Sequence, residues 1–117
     1  MSIINLTAYV ARGNIDLLAI RSNGQKIPDN TVIRAKLVIV DGELNYCLDT
    51  DEATDPISFI DDNTTIRLQL GFASFAQALL GKTLPAKLIL YDTATPQGLA
   101  WWGNEYQVTF EAWDDCA

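Results

Sequence analysis

The fold class of this chain is decided by residues 88–103, which read LILYDTATPQGLAWWG. Two apolar runs, both containing aromatic residues, flank a turn built from Asp, Thr, Pro and Gly. Pro96 presets φ for the second position of a turn, and Gly98 can adopt the left-handed conformation that ends one. The pattern therefore predicts a β-hairpin, whose second strand is predicted over 99–102 and is followed by a last strand over 106–113.

Most of the remaining chain alternates apolar and polar residues in short runs that are separated by turn residues. The clearest run is 33–40, which is followed by the two-residue hairpin signal Asp41-Gly42. Short strands with frequent turn signals favour an all-β, immunoglobulin-like two-sheet antiparallel sandwich, with the whole chain, 1–117, as a single domain. The other predicted strands cover residues 3–10, 15–20, 43–48, 57–60 and 65–70.

Residues 72–80 depart from this alternation. They are rich in Ala and Leu, and apolar residues recur at helical spacing from Phe72 until Gly81 provides a stop signal. This segment is predicted to be one short helical insert, or a helical crossover between the two sheets. Its apolar stripe is expected to belong to the core.

The composition favours a folded acidic protein with few groups suited to catalysis. The chain has 117 residues, of which 49% are hydrophobic and 20% charged, and a net charge of −7, so nucleic-acid binding is not expected. It contains no histidine, which removes the usual general base and the commonest transition-metal ligand. The adjacent carboxylates Asp61/Asp62 and Asp114/Asp115 point apart, which leaves a small hydrolase as the least favoured hypothesis. We expect no enzyme, no catalytic residues and no cofactor.

The sequence contains no recognisable export signal and no apolar run long enough to span a bilayer. Production in a cytoplasm without membrane association is therefore expected. In such a reducing compartment Cys47 and Cys116 are predicted to be buried or idle thiols, while their pairing is left open.

The loop after the fourth predicted strand carries Asp49, Asp51 and Asp55, whose oxygens could converge on a hard cation such as calcium. The helix–loop–helix calcium pattern also needs glycine at its sixth position and glutamate at its twelfth, where this chain has Thr54 and Ile60. Solvated loop carboxylates are therefore the favoured interpretation, and no metal site is assigned. An opportunistic calcium site is the alternative.

Three tryptophans, Trp101, Trp102 and Trp113, are the candidate interaction residues. Adjacent strand residues face opposite ways, so one of Trp101 and Trp102 should be buried and the other partly exposed. An exposed tryptophan can anchor a protein contact or stack on a sugar. The protein contact is favoured, because the sequence reveals no second set of convergent aromatic and amide residues.

The hairpin segment 88–101 resembles a pattern in small virion proteins of tailed bacteriophages. That pattern joins a hydrophobic–Tyr-Asp run to Asn/Thr-Pro-x-Gly, a hydrophobic residue and Trp. Residues 32–39 and 65–71 resemble the middle strands of the same proteins, so the likeness covers roughly the C-terminal two-thirds. The resemblance implies an immunoglobulin-like structural protein of the tail-tip, fibre-adaptor or capsid-decoration type. The chain departs from it at 72–81, where a tighter turn is expected, and this leaves the mode of attachment open.

The favoured hypothesis is a non-enzymatic virion structural protein that docks onto other virion subunits. Its partners would be virion proteins and further copies of itself, as a homo-oligomer or multi-copy assembly formed in the host cytoplasm. Edge strands and exposed aromatics suit such a role. The alternative is a carbohydrate-binding module that aids host adsorption, with glycan binding that depends on Trp101 or Trp102.

Overall fold

A computed structural model describes residues 2–20, 32–60, 65–91 and 96–113. Within these ranges eight strands form two sheets. The order is β1-β8-β7-β3-β4 in the five-stranded sheet and β2-β6-β5 in the three-stranded sheet. The strands are β1 (Ser2–Tyr9), β2 (Asp16–Ala19), β3 (Arg34–Asp41), β4 (Leu44–Asp49), β5 (Ile57–Ile60), β6 (Thr65–Leu68), β7 (Thr83–Tyr91) and β8 (Leu99–Glu111).

This strand order is that of an immunoglobulin-like sandwich. Strands β8, β7, β3 and β4 take the places of G, F, C and C′, while β2, β6 and β5 take those of B, E and D. The predicted all-β sandwich is confirmed. One pairing among the described strands departs from the antiparallel pattern: β1 runs parallel to β8, from Ser2 opposite Asn104 to Tyr9 opposite Glu111. The first strand pairs with the last one rather than with its sequence neighbour, and such a distant pairing allows a parallel arrangement.

The hairpin predicted from residues 88–103 is present. Strands β7 and β8 pair antiparallel, with Leu90 opposite Leu99. Gly98 has a φ of +90°, as its place in the turn requires. The two strands predicted over 99–102 and 106–113 are instead one strand of 13 residues. The pairing with β7 shifts register between Ala86/Tyr106 and Leu88/Trp101, where a step of two residues along β7 spans five along β8, so the extra residues of the irregularity lie on β8.

The hairpin of β3 and β4 also forms, one residue later than predicted. Asp41 pairs with Leu44, so the two loop residues are Gly42 and Glu43. Gly42 has a φ of +62°, the left-handed conformation that glycine adopts most readily.

The core lies between the sheets and is built from the strand faces that the alternation predicts. On β3, for example, Ala35, Leu37 and Ile39 have no exposed surface, while the residues between them are half-buried. Ala112, which follows the end of β8, is exposed. The largest side chains without solvent contact are those of Leu37, Ile39, Leu48, Ile66, Leu68, Leu70, Leu79, Leu90, Val108 and Phe110.

Residues 69–82 form the crossover from β6 in one sheet to β7 in the other. The helix expected over 72–80 is replaced by two single 3₁₀ turns, Leu70–Phe72 and Gln77–Leu79. Tight turns of this kind are frequent as connectors, where the chain must bridge two elements over a short path. The expected core stripe is only partly buried, because Ala76 and Leu79 lie in the core while Phe72 is exposed.

Gly71 fixes the crossover against the turn that follows β1. Its carbonyl accepts a hydrogen bond from the amide of Ala11 at 2.9 Å. A Cβ at this position would lie 2.1 Å from the carbonyl oxygen of Tyr9 and 2.5 Å from that of Arg12. Only glycine fits between these backbones, and its small size allows the crossover to pack closely against the turn that follows β1.

Candidate functional site

The end of the sandwich at which β1 and β8 terminate exposes several large side chains. The amide of Val10 donates to the carbonyl of Glu111 at 2.9 Å, and Gly71 joins the crossover to the same turn. Three segments that are distant in sequence therefore meet at one surface. We call this surface the terminal face, and its residues are Tyr9, Val10, Ala11, Arg12, Asn14, Phe72, Gln77, Leu80 and Trp113.

Trp113 is the most prominent residue of the terminal face. Its side chain is 61% exposed. Its ring meets that of Tyr9 edge to face, with centroids 5.1 Å apart and planes at 75°. The guanidinium of Arg12 donates to the main-chain carbonyl of Trp113 at 3.3 Å. These contacts orient the indole while most of it stays in solvent.

The terminal face contains three neighbouring clefts. Tyr9, Arg12, Asn14 and Trp113 line a cleft of about 520 Å³. A second, of about 370 Å³, shares Arg12 and Trp113 and extends to Leu80. A third, of about 290 Å³, lies beside the exposed ring of Phe72. Because adjacent clefts share residues, they form one continuous uneven surface.

The chemistry of the terminal face suits binding. Trp, Tyr and Arg are the residue types that contribute most to protein–protein affinity, and all three are present here. Among the described residues no carboxylate lines any of the three clefts. The surface therefore offers apolar area, a guanidinium and two side-chain amides, and these groups can hold a partner in place.

The other two predicted tryptophans lie in β8. Trp101 is paired with Leu88 of β7, and Trp102 follows it in the strand. Their side chains are outside the described part of the structure. Their opposite facing and their role in contacts stay predictions.

The acidic loop residue Asp49 is engaged in an ion pair. The Nε of Arg34 donates to its Oδ1 at 2.9 Å, and the Nη2 of Arg34 bonds the other carboxylate oxygen. The same Oδ1 accepts the amide of Asp51 at 3.0 Å, and the amide of Asp49 donates to Oδ2 of Asp55 at 3.0 Å. The hydrogen bond from Arg34 is the main reason why the pKa of Asp49 lies below its usual value. Arg34 also lies over the ring of Tyr91, 4.8 Å from its centroid.

These contacts correct the solvated-carboxylate prediction for Asp49, whereas Asp51 is exposed, as that prediction expects. Asp49 is 8% exposed, so it is not the solvated carboxylate that was favoured. Arg34, in the strand next to β4, supplies the partner that the local sequence does not reveal. In the described ranges no cluster of three acidic or thiol side chains is placed to hold a metal ion, and the calcium alternative for Asp49, Asp51 and Asp55 finds no support.

Cys47 is exposed rather than buried, since it lies on the outer face of an edge strand. Cys116 and the carboxylate pairs Asp61/Asp62 and Asp114/Asp115 lie outside the described residues. Within the part of the chain that is described, no helix has the length and apolar character needed to cross a membrane.

The residues around Trp113 are not apparent from the sequence. No second convergent set of aromatic and amide residues was predicted, yet Tyr9, Arg12 and Asn14 all line the cleft beside Trp113. These residues end the first strand and begin the following turn. The parallel pairing of β1 with β8 brings them to Trp113, and no local pattern encodes that pairing.

Comparison with known proteins adds little to this description. No protein-family model matches the chain, and no curated protein sequence matches it. A similar solved structure is that of the extracellular domains of the voltage-gated sodium channel β4 subunit, described as parallel homodimers that explain its role in cell–cell adhesion. The TM-score is 0.41 at 13% identity, over 100% of this chain and 92% of that one. Such a distant likeness carries no argument about binding, and the fold assignment above rests on the strand order.

Proposed function

We propose that this chain is a non-enzymatic structural protein that docks onto other protein subunits through the terminal face. The observation that carries the proposal is the exposure of Trp113 beside Tyr9 and Arg12 on a surface without carboxylates among its described lining residues. Tryptophan is highly buried on average, and contiguous exposed apolar patches mark protein interaction sites.

Three exposed apolar side chains of the terminal face can contribute to such a contact. Trp113, Phe72 and Leu80 are 61%, 54% and 40% exposed, and all three border the same group of clefts. Full burial of one large apolar side chain is worth about 1.5–3 kcal/mol. The loss of conformational and rigid-body entropy on association offsets part of this gain, so one copy would bind with moderate affinity. Several copies in one array would bind much more tightly, because their contacts act together.

We further propose that the assembly is the virion of a tailed bacteriophage, in which the chain acts as a tail-tip or fibre adaptor or as a capsid decoration. This assignment is supported by the resemblance of residues 88–101 to the virion hairpin. The partners would be other virion proteins and further copies of the chain itself. A role as a rigid multi-copy adaptor needs no catalytic group, which agrees with the absence of histidine from the sequence.

The test is incorporation into particles. Phage particles are purified on a density gradient from cells that produce the chain, and its copy number is measured by quantitative mass spectrometry. The full chain is compared with Trp113→Ala and with the matched control Ile33→Ala. Ile33 is a similarly exposed apolar residue, whose amide bonds the carbonyl of Tyr91 at the far end of β7 from the terminal face.

We expect the wild-type chain to be present at a constant copy number per particle. Removing a central tryptophan should cost about 2 kcal/mol of binding, which is roughly a 30-fold loss of affinity, whereas the control should bind normally. Circular dichroism checks that both variants are folded. A chain that stays monomeric and is absent from purified particles would contradict the virion assignment. Equal incorporation of both variants would contradict the terminal face.

Carbohydrate binding is a second candidate, and a specific observation favours it. The cleft of Tyr9, Arg12, Asn14 and Trp113 combines aromatic rings with an amide and a guanidinium, as a sugar site requires. Because the two rings stand at 75°, they form no flat double platform, and only one of them could stack on a given sugar. A glycan array probed with the wild-type chain and Trp113→Ala tests this candidate. Binding that disappears in the variant would support it, and the lack of any signal at high protein concentration would remove it.

A further inference from the structure

The sandwich is open along one side, where β1 and β2 lie next to each other without pairing. Within the described residues β1 pairs only with β8 and β2 pairs only with β6, so each strand has one free edge. A groove of about 260 Å³ separates these two edges, and its walls include Ile4 and Leu6 from β1 and Leu18 from β2. Tyr106 of β8 lines it as well.

The free edge of β2 can accept another strand. In an antiparallel pair, alternate residues direct their backbone N–H and C=O groups toward the neighbouring strand, and the residues between them direct these groups away from it. On β2 the groups of the second kind face the groove, because β6 lies along the opposite edge. Extended peptides bind to edges of this kind by adding a strand to the sheet.

The side chains around the free edge set the pattern that an added strand would need. Leu18 points into the core, whereas Leu17 is 58% exposed on the outer face of β2, and Ile15 is exposed on the same side. Apolar contacts are therefore available on both faces. Inward side chains of an added strand would fill the groove against Ile4 and Leu18, and outward ones would lie beside Leu17.

Asp16 favours a positive charge on a strand added at this edge. It is the ionisable carboxylate among the groove-lining residues, and it is half-buried beside leucines. Burial raises its pKa, and no hydrogen bond or neighbouring charge in the described structure offsets this shift. A lysine or arginine placed opposite Asp16 would relieve the desolvation of the carboxylate and would suit a chain whose net charge is −7.

We infer that the groove between β1 and β2 accepts an extended segment of a partner protein, with alternating apolar residues and a lysine or arginine opposite Asp16. A second copy of this chain fits poorly. The edge strands of the two sheets, β1, β2, β4 and β5, contain no lysine or arginine. The site is separate from the terminal face, so each surface can be tested without the other.

The probe is a short synthetic peptide in which valine and threonine alternate and one valine is replaced by lysine. A matched peptide carries glutamate in place of the lysine. Both are titrated into the isotope-labelled full chain, and NMR records the amide shifts and the hydrogen exchange of residues 15–19. The panel contains wild type, Asp16→Asn, Asp16→Lys and the terminal-face variant Trp113→Ala, each checked for folding by its spectrum.

We expect the lysine peptide to shift and protect the β2 amides in the wild type, with an affinity about tenfold higher than that of the glutamate peptide. Asp16→Asn should abolish this preference, Asp16→Lys should reverse it, and Trp113→Ala should retain it. The inference is overturned if neither peptide affects residues 15–19, or if wild type does not distinguish the two charges. Protection of the β2 amides that rises with protein concentration without peptide would also overturn it, since a second copy would then fill the groove.

Discussion

The two sides of the sandwich differ in whether the gap between the sheets is covered. Beside β4 the chain covers the gap between the sheets with its own residues, because Phe75 of the crossover packs against Tyr46 and Phe110, at 5.1 and 6.5 Å between ring centroids. The Arg34–Asp49 pair anchors the loop from β4 to β5 nearby. Beside β1 and β2 a groove remains open. We call these the closed side and the open side.

The difference suggests that the residues that stabilise this sandwich and the residues that can bind a partner lie in different regions. On the closed side aromatic packing and a paired charge stabilise the fold. On the open side and on the terminal face, similar residue types are left without partners among the described residues, as in the unpaired Asp16 and the exposed Phe72. The same substitution should therefore have opposite or unequal effects in the two regions, and the following predictions use that contrast.

The largest effect is expected for Gly71→Ala, at the junction of the crossover with the turn that follows β1. The new Cβ would lie 2.1 Å from the carbonyl oxygen of Tyr9, so the backbone must move. We expect a loss of about 3 kcal/mol or more in the free energy of unfolding, measured by urea denaturation. The matched control is Gly42→Ala, which has a φ of +62° but no atom near its Cβ, and it should lose about 1 kcal/mol. Equal losses would mean that the junction is not packed as described.

A second comparison uses the two phenylalanines of the crossover. Phe75 is half-buried against Tyr46 and Phe110, so Phe75→Ala should cost about 2 kcal/mol of unfolding free energy. Phe72 is 54% exposed, and Phe72→Ala should cost less than about 0.5 kcal/mol. Thermal and urea denaturation measure both values. Similar costs at the two positions would remove the distinction between a packing residue and a binding residue.

The third prediction concerns the pH dependence of the closed side. Because the bond from Arg34 lowers the pKa of Asp49 in the folded state, the pair stabilises the fold above the ordinary value of 3.8. This stabilisation is lost as the pH falls through the folded-state pKa. Asp49→Asn should therefore melt at a lower temperature than wild type at neutral pH, and the difference should shrink in acid. Melting curves across this pH range test it, and a constant difference would contradict the ion pair.

The smallest effect is expected at Asp16 on the open side, with the opposite sign. Burial raises its pKa, so the folded state favours the neutral carboxyl, and stability falls as the pH rises from 3.8 through the folded-state pKa. Asp16→Asn should raise the stability at neutral pH by about 0.5 kcal/mol, a small gain because solvent screens a half-buried group. The gain should vanish in acid. Destabilisation by Asp16→Asn at neutral pH would show that the carboxylate already has a partner.

Local patterns predicted most of the fold because they record which face of a strand is buried. The alternation in β3 placed Leu37 and Ile39 correctly, and the turn residues around Gly98 located the β7–β8 hairpin. A helical crossover was one of the two alternatives predicted for residues 72–80, but the structure has 3₁₀ turns in this segment and brings Gly71 close to the β1 turn. Helical spacing alone does not record such a tertiary contact.

The candidate site was much harder to predict, since its residues come from opposite ends of the chain. Trp113 was singled out by residue type, but its contacts with Tyr9 and Arg12 depend on parallel pairing between the first and last strands. The partner of Asp49 was missed because Arg34 lies in the neighbouring strand β3 and not in the acidic loop.

The most direct measurement of the central claim is hydroxyl-radical footprinting of the chain, free in solution and within purified particles. The account predicts that modification of Trp113 and Phe72 falls by more than half on incorporation, while that of Ile33 is unchanged, since only the terminal face becomes covered. If Trp113 reacts equally fast in both states and Ile33 becomes protected instead, docking through the terminal face is contradicted.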